Sequence, residues 1–392
     1  MRKTVASLLF ALLVLASTIL VRTNFAFGDG LVDDSWVTVA PFRVTPKLYS
    51  PALGAVTVNG KIYFIGDGIN ERYDPDANAW TAVTPPPVYH MWSDVVACQN
   101  KIYIIGGSPE NPTQVYDPLT DTWENKSSIP VTLWEYRATA VDDKIYLIAG
   151  LKLAALGIFA TSAATYVYDT ATDTCSEMAA IPTPVGCYAS AVLDGKIYII
   201  GGGTATTTPN NATDLVQIFD PKTNQWTNGK PLPTGVYKAA ACSTSGLIAP
   251  KRIYVFGGSL RYDGGGLSVS SSAKTITNLT QVYDLETGSW SLAAPLPEFR
   301  LSFWLVNVND ALYAIGGEES GSFEVTERYI PLGYDESLLP TPSPSPTPSP
   351  TASPTAEPFP TLPVALAIAA LVAVAVGLMI YCKKVNHKVG QS

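Results

Sequence analysis

The feature that most constrains this 392-residue chain is a short segment that returns six times. It reads KIYFIGD at 61–67, KIYIIGG at 101–107, KIYLIAG at 144–150, KIYIIGG at 196–202, RIYVFGG at 252–258 and ALYAIGG at 311–317. After a variable gap each copy is followed by an aromatic residue: Tyr73, Tyr116, Tyr168, Phe219, Tyr283 and Tyr329. Beyond the first five aromatics, after one more fixed gap, stand Trp80, Trp123, Cys175, Trp226 and Trp290. A fixed unit repeated six times sets the number of structural modules before composition is considered.

Within each copy apolar residues alternate with period two, and turn sequences such as DPDAN, DPLTD, DPKTN and DLETG separate the aromatic from the tryptophan. Both are therefore strand residues of one hairpin, and each unit is a small antiparallel sheet. Such a sheet cannot bury both faces alone. Consecutive units must stack, and a closed ring of six leaves no exposed end. The sixth unit lacks a tryptophan after Tyr329, while Trp36 stands alone ahead of the first copy. Its spacing to the next glycine is close to that of the other tryptophans. Residues around 35–39 are therefore expected to be the outermost strand of a module whose other strands fall within 302–331, so that the N-terminus latches the ring.

These marks resemble the kelch repeat: glycine pairs at Gly106–Gly107, Gly201–Gly202, Gly257–Gly258 and Gly316–Gly317, with tryptophans at Trp36, Trp80, Trp123, Trp226 and Trp290. The resemblance covers about residues 36–332 and implies an all-β, six-bladed kelch-type β-propeller closed by an N-terminal strand. Departures are Asp67, Ala149 and Cys175. Glycine at the second position of each pair is expected where a neighbouring aromatic packs on bare backbone.

The chain ends read differently. Residues 1–27 have Arg2 and Lys3 ahead of an apolar stretch, Val5 to Val21, the pattern of a secretory signal; a retained N-terminal anchor is the competing reading. The propeller is expected over 28–338. Residues 339–363 alternate proline with serine and threonine and read as a polyproline II stalk of roughly 70 Å, at about 3.1 Å per residue. Residues 364–382 are uncharged and apolar, followed by a basic tail at 383–392 containing Lys383, Lys384 and Lys388. This reads as one transmembrane helix with its basic end inside and the propeller outside the cytoplasm. Glu357-Pro-Phe-Pro360 ahead of the span also resembles archaeal and bacterial sorting signals, in which the span is removed; a permanent anchor is the simpler reading. The whole chain carries −8, and its outer part, without the terminal lysines and arginines, is more acidic still. A nucleic-acid partner is not expected.

Where would function sit? In an up-and-down blade the b–c loop and the d–a connection emerge on one face. The stretches from glycine pair to aromatic are longest in units three to five: 151–165, 203–214 and 259–278. They make that face the expected binding surface. The apolar run LKLAALGIFA at 151–160 is read as packing over the ring mouth, with partner contact as the alternative. The d–a connections add Arg43, Lys47, Tyr49, Tyr89, His90, Trp92, Trp134, Glu135, Arg137, Tyr188, Tyr237, Lys238, Phe299, Arg300 and Trp304. Aromatic faces with planar donors suit a sugar or peptide. Trp134, Glu135, Arg137, His90 and Arg300 are singled out as surface binding candidates.

Catalysis is not expected, and no cofactor or metal. Galactose oxidase, a kelch-type copper enzyme, uses two histidine ligands, whereas His90 is the only outer histidine, His387 lying in the tail. No nucleophile motif accompanies it. A sugar-modifying activity like that of six-bladed bacterial sialic-acid mutarotase, with Glu135 and Arg137 in the acid–base role, is the alternative; a purely structural envelope component is another. Cys98, Cys175, Cys187 and Cys242 are read as buried thiols rather than disulfides. Asn125, Asn211 and Asn278 head glycosylation sequons, relevant because the chain is expected to be exported. The reading is a membrane-tethered, monomeric surface module recognising an extracellular or envelope protein or glycan, of archaeal or bacterial type.

Overall fold

The computed structural model describes residues 33–42, 54–66, 68–90, 92–153, 159–204, 212–261, 275–317 and 325–339. The signal segment, stalk, C-terminal span, basic tail, Arg43, Lys47, Tyr49, Asp67 and Asn211 lie outside them. Among the described residues no helix is long and apolar enough to cross a membrane.

Strand β1 (Ser35–Thr38) comes first in the chain and belongs to the last blade. Blade 1 comprises β2 (Gly54–Val58), β3 (Lys61–Gly66), β4 (Ile69–Asp74) and β5 (Ala79–Ala82). Blade 2 comprises β6 (Asp94–Cys98), β7 (Lys101–Ile105), β8 (Thr113–Asp117) and β9 (Thr122–Lys126). Blade 3 holds β10 (Arg137–Val141), β11 (Lys144–Ile148), β14 (Thr165–Asp169) and β15 (Thr174–Glu177), and its b–c connection carries a separate hairpin, β12 (Leu151–Leu153) with β13 (Phe159–Thr161). Blade 4 is β16 (Ala189–Leu193), β17 (Lys196–Ile200), β18 (Val216–Asp220) and β19 (Gln225–Asn228). Blade 5 is β20 (Ala240–Ser243), β21 (Arg252–Phe256), β22 (Thr280–Asp284) and β23 (Ser289–Ala293). Blade 6 orders β24 (Trp304–Val308), β25 (Ala311–Ile315) and β26 (Thr326–Ile330) with β1 outermost. Six four-stranded sheets thus form a propeller, and Trp36 pairs across from Tyr329 as the spacing required.

Blades are joined by two repeated devices. The repeat tyrosine of each b strand meets the c-strand aromatic of the next blade: Tyr63 with Tyr116, Tyr103 with Tyr168, Tyr146 with Phe219, Tyr198 with Tyr283, Tyr254 with Tyr329, and Tyr313 back to Tyr73, with centroids 5.6–6.5 Å apart. Contacts of this kind contribute beyond the area they bury. The second device is a clasp on the preceding blade's outgoing linker. The indole N–H of Trp80 donates to Ala40 O (3.0 Å), while Asn78 Oδ1 accepts from Ala40 N (2.8 Å) and from the Tyr73 hydroxyl. Trp123 with Asp121 clasps Thr84, Trp226 with Asn224 clasps Ala179, and Trp36 with Asp34 clasps Ala294. Blade 3 keeps only the Asp173 half because Cys175 replaces tryptophan, and in blade 5 Gly288 replaces the acid or amide, leaving Trp290 on Lys230 O. These turn residues, Asp34, Asn78, Asp121, Asp173 and Asn224, all have positive φ, which Asn and Asp tolerate best after glycine.

The glycine pairs serve close backbone approach, with a different neighbour from the one expected. A Cβ at the second glycine of a pair would meet the incoming linker of its own blade: the Trp134 carbonyl at Gly150 (2.6 Å), the Gly186 carbonyl at Gly202 (2.8 Å) and the Tyr237 carbonyl at Gly258 (2.8 Å). The first glycine faces the next blade's linker, with the Tyr136 hydroxyl at Gly106 and the Arg300 carbonyl at Gly257. Carbonyl oxygens, rather than aromatic rings, impose most of the requirement.

Candidate functional site

The a strands line a central channel of about 300 Å³. Alternate residues of each a strand face it, and these are small: Ala55, Ala97, Ala138, Ala140, Ser190 and Ala241 among them. Asp94 and Arg137 are the only charged residues of the described lining. They occupy equivalent first positions of strands a in blades 2 and 3, at the end where the d–a connections arrive. Asp94 Oδ2 accepts the Ala138 N–H at 2.7 Å, and Arg137 Nη1 lies 3.6 Å from Oδ1. Burial pushes the Asp94 carboxyl above its ordinary pKa, against the pull of the Arg137 guanidinium. Arg137 is half-buried, with the Tyr188 hydroxyl accepting its backbone N–H at 3.0 Å.

Around this mouth runs a belt absent from any sequence motif. Two residues before the a strands of blades 2 to 6 stand Trp92, Glu135, Cys187, Lys238 and Ser302, none of them glycine and all at φ between 51° and 67°. Successive members are hydrogen-bonded through the backbone: Cys187 N–H to Glu135 O (3.0 Å), Lys238 N–H to Cys187 O (2.8 Å), Ser302 N–H to Lys238 O (3.0 Å). At Cys187, Lys238 and Ser302 the left-handed turn aims the N–H at the neighbouring blade, so the strain there is offset by inter-blade bonds. Cys187 Sγ also donates to Glu135 Oε2 at 3.3 Å, and Lys238 Nζ lies over the Tyr237 ring. Trp92 and Trp134 meet edge to face, centroids 6.1 Å apart. On blades 3, 4 and 5 the long b–c connections rise from this rim, paired to the linkers at Trp134 with Leu151, Gly186 with Gly203, and Tyr237 with Ser259. Leu151 is buried, which agrees with packing at the mouth for that end of the apolar run; 154–158 lie outside the described residues.

Of the five binding candidates, the structure brings Trp134, Glu135 and Arg137 together at the mouth and removes the other two from the surface. His90 is 3% exposed and Arg300 2% exposed. Both fill the same slot, four residues before the a strand, that Leu133, Val185 and Val236 fill in blades 3, 4 and 5. Part of their polarity is met inside the blade, while His90 Nε2 and Arg300 Nη1 are buried without a hydrogen-bond partner. Arg300 Nη2 lies 2.9 Å from Glu327 Oε2 and the guanidinium lies over Phe303. Burial lowers the arginine's pKa and raises that of Glu327. His90 Nδ1 contacts Ser93 Oγ at 3.2 Å, and because Ser93 Oγ donates to Gly106 O, it accepts from Nδ1–H. Burial holds the imidazole pKa below its ordinary value, with Gln114 opposing. In blades 4 and 5 the residues matching Gln114 and Glu327, Gln217 and Gln281, bond the Thr183 and Thr234 backbone instead.

The remaining linker aromatics divide. Tyr188 and Tyr237 are buried, Trp304 packs on Phe64 between blades 6 and 1, and Tyr89 and Phe299 are exposed. Cys98, Cys175, Cys187 and Cys242 are free thiols. Asn125 is exposed on β9, and Asn278 is partly buried, its Nδ2 donating to Leu296 O at 3.1 Å. The described residues hold no cluster of metal-binding groups.

Comparison with known proteins agrees with this architecture. Mouse (Mus musculus) Kelch-like protein 35 is 31% identical over 182 residues, 43% of this chain and 29% of that protein. Zebrafish (Danio rerio) Kelch-like protein 26 is 24% identical over 232 residues, 58% of this chain and 35% of that protein. The chain thus spans about a third of the length of these curated relatives. The solved structure of YjhT shares the fold, with a TM-score of 0.56 at 18% identity over 73% of this chain and 95% of that one. A family profile described as the KLHDC2/KLHL20/DRC7 Kelch-repeats domain matches residues 54–258, more than half of the sequence, and the chain belongs to that Kelch-repeat family.

Proposed function

We propose that the propeller is a binding module, displayed outside the cytoplasm on a C-terminal tether, that takes a protein or glycan partner at the mouth formed by the d–a and b–c connections. Kelch propellers commonly serve as protein-interaction modules, and the curated relatives matched are named Kelch-like proteins. The observation that carries the reading is the contrast between channel and rim. The described channel wall offers one charged pair, Asp94 with Arg137, and the Asp94 carboxylate accepts a backbone N–H. The rim gathers Trp92, Trp134, Glu135, Arg137 and Lys238 beside three raised connections. Aromatic and arginine side chains at the centre of a concave surface are the usual anchors of recognition.

The test is binding of the purified full chain, in detergent, to a glycan array and to envelope extract, beside Trp134→Ala/Arg137→Ala with an unchanged melting transition. Loss of binding in the variant supports the mouth. Binding retained by the variant moves the site elsewhere, and no binding by the parent favours a structural role. Protease accessibility of the propeller on intact cells tests the display separately.

A further inference from the structure

The a–b turns of blades 1 to 4 and blade 6 are two residues long, as at Asn59–Gly60, Gln99–Asn100 and Asp194–Gly195. Blade 5 departs from this, running from Thr244 to Lys251 between β20 and β21. Reversing the chain does not need so long a loop, and its interior is organised. The Asp310 carboxylate of blade 6, 1% exposed, accepts the N–H groups of Ser245 (2.6 Å), Leu247 (3.2 Å), Ile248 (2.9 Å) and Ala249 (3.1 Å) and the Ser245 hydroxyl. Asn307 Nδ2 completes the set at 3.2 Å.

The outer side of this loop receives the chain's exit. Ile248 O accepts the Asp335 N–H at 2.8 Å, Arg252 Nη1 donates to Leu332 O at 2.9 Å, and Gly333, at φ 80°, lies against the Pro250 ring. Gly333 N–H also donates to Asp33 Oδ2 at 2.9 Å, joining the exit to the segment that leads into β1. Tyr334 packs on the core between blades 6 and 1. Residues 331–339 therefore cross three blades on the a–b face, opposite the candidate mouth, and finish in a 3₁₀ turn, Glu336–Leu338, capped by Asp335.

We propose that residues 331–339, seated on the enlarged blade 5 loop, form an anchorage that fixes the chain's exit to the a–b face and spreads tension from the C-terminal side over three blades. The proposal rests on the reading that the chain is tethered beyond its C-terminal end. Without the seat, a pull would pass directly to Ile330, whose partner across the ladder is Ser35 of the latch strand. Peeling there would open the ring at its one non-consecutive joint. With the seat, the pull must first break bonds to blade 5, to Asp33 and to the blade 6–1 core together.

The experiment uses the purified full chain in nanodiscs. Hydrogen exchange of the Gly333 and Asp335 amides is measured with Gly333→Val, which places a branched side chain at positive φ beside Pro250 and touches no blade strand. Both amides should be protected in the parent and released in the variant, with the main melting transition kept. Pulling between the stalk and β9 should open the parent ring in one step. The variant should show an earlier step of roughly 3 nm, at about 3.5 Å per freed residue, and ring opening at lower force. Unprotected amides in the parent, or identical force distributions for the two proteins, overturn the proposal. Both readouts are made in vitro, so they fail independently of the tether reading, which fails if the chain is not recovered with membranes.

Discussion

The Tyr329 hydroxyl donates to Asp34 Oδ1 at 2.6 Å across 295 positions of sequence. Tyr73 with Asn78, Tyr116 with Asp121 and Tyr168 with Asp173 make the same bond within a single turn. Ring closure therefore copies a local contact using two remote pieces of chain. Asp34 also accepts the Ala294 N–H at 2.8 Å, so Asp34→Ala removes the acceptor for two groups at once. Its expected cost is about 1–3 kcal/mol, read as a lower midpoint in urea. Deleting residues 28–40 should abolish cooperative melting, and an unchanged transition would refute the latch.

Cys175 occupies the clasp position that tryptophan fills in blades 1, 2, 4, 5 and 6. Ser127 N–H already reaches Asp173 Oδ1 at 2.9 Å, and Ser127 O holds the place of the indole acceptors in the other blades. Cys175→Trp should complete the clasp and raise the melting temperature by a few degrees, on the order of 1 kcal/mol. A lower melting temperature would show that the blade 3 to blade 2 gap cannot take the ring.

Arg300 and Glu327 form a buried pair in a slot that is apolar in blades 3, 4 and 5. Arg300→Val alone leaves Glu327 buried without its cation and should cost about 3–5 kcal/mol. Arg300→Val/Glu327→Gln recreates the arrangement of blades 4 and 5, in which glutamine bonds the linker backbone, and should recover most of that loss in denaturant titrations. A double variant no more stable than the single one would sink this account.

Two buried groups make the protein lose stability as pH falls, each in its own part of the acid range. For His90 the folded pKa is lowered by burial, so stability is full above about 6.5, the unfolded value, and falls as pH drops below it. His90→Val, matching Val185 and Val236, should flatten that slope. At Asp310 burial raises the pKa, but the N–H groups of Ser245, Ile248 and Ala249 outweigh it and hold the carboxyl below its ordinary range. Its contribution is present above about 3.9 and lost as pH falls through the folded value. Melting temperatures of parent and variants between pH 3 and 8 check both signs.

Much of the fold was legible because repetition supplies its own alignment. Six copies fixed the blade count, and one misplaced tryptophan located the closing strand. The clasp acids and amides were equally present in the sequence, two residues before Trp36, Trp80, Trp123, Cys175 and Trp226, but turn composition alone disguised them as ordinary reversals. The site was less legible. His90 and Arg300 looked like surface groups because a charged residue in a linker ordinarily faces water, and only the packing shows that both point into the slot of Leu133 and Val236. The belt of Glu135, Cys187, Lys238 and Ser302 left no compositional trace at all, since its bonds are made by peptides and its members share a backbone angle, not a side-chain type.

That belt has an evolutionary consequence. Because blades 3 to 6 are joined at the mouth by main-chain bonds, those joints do not depend on which side chains stand there. A tryptophan, an acid, a thiol, an amine and a hydroxyl already occupy equivalent stations around one opening. Substitution there can retune what the opening accepts while the wheel keeps its diameter, so partner choice can diverge quickly on a frame that does not have to be refolded each time.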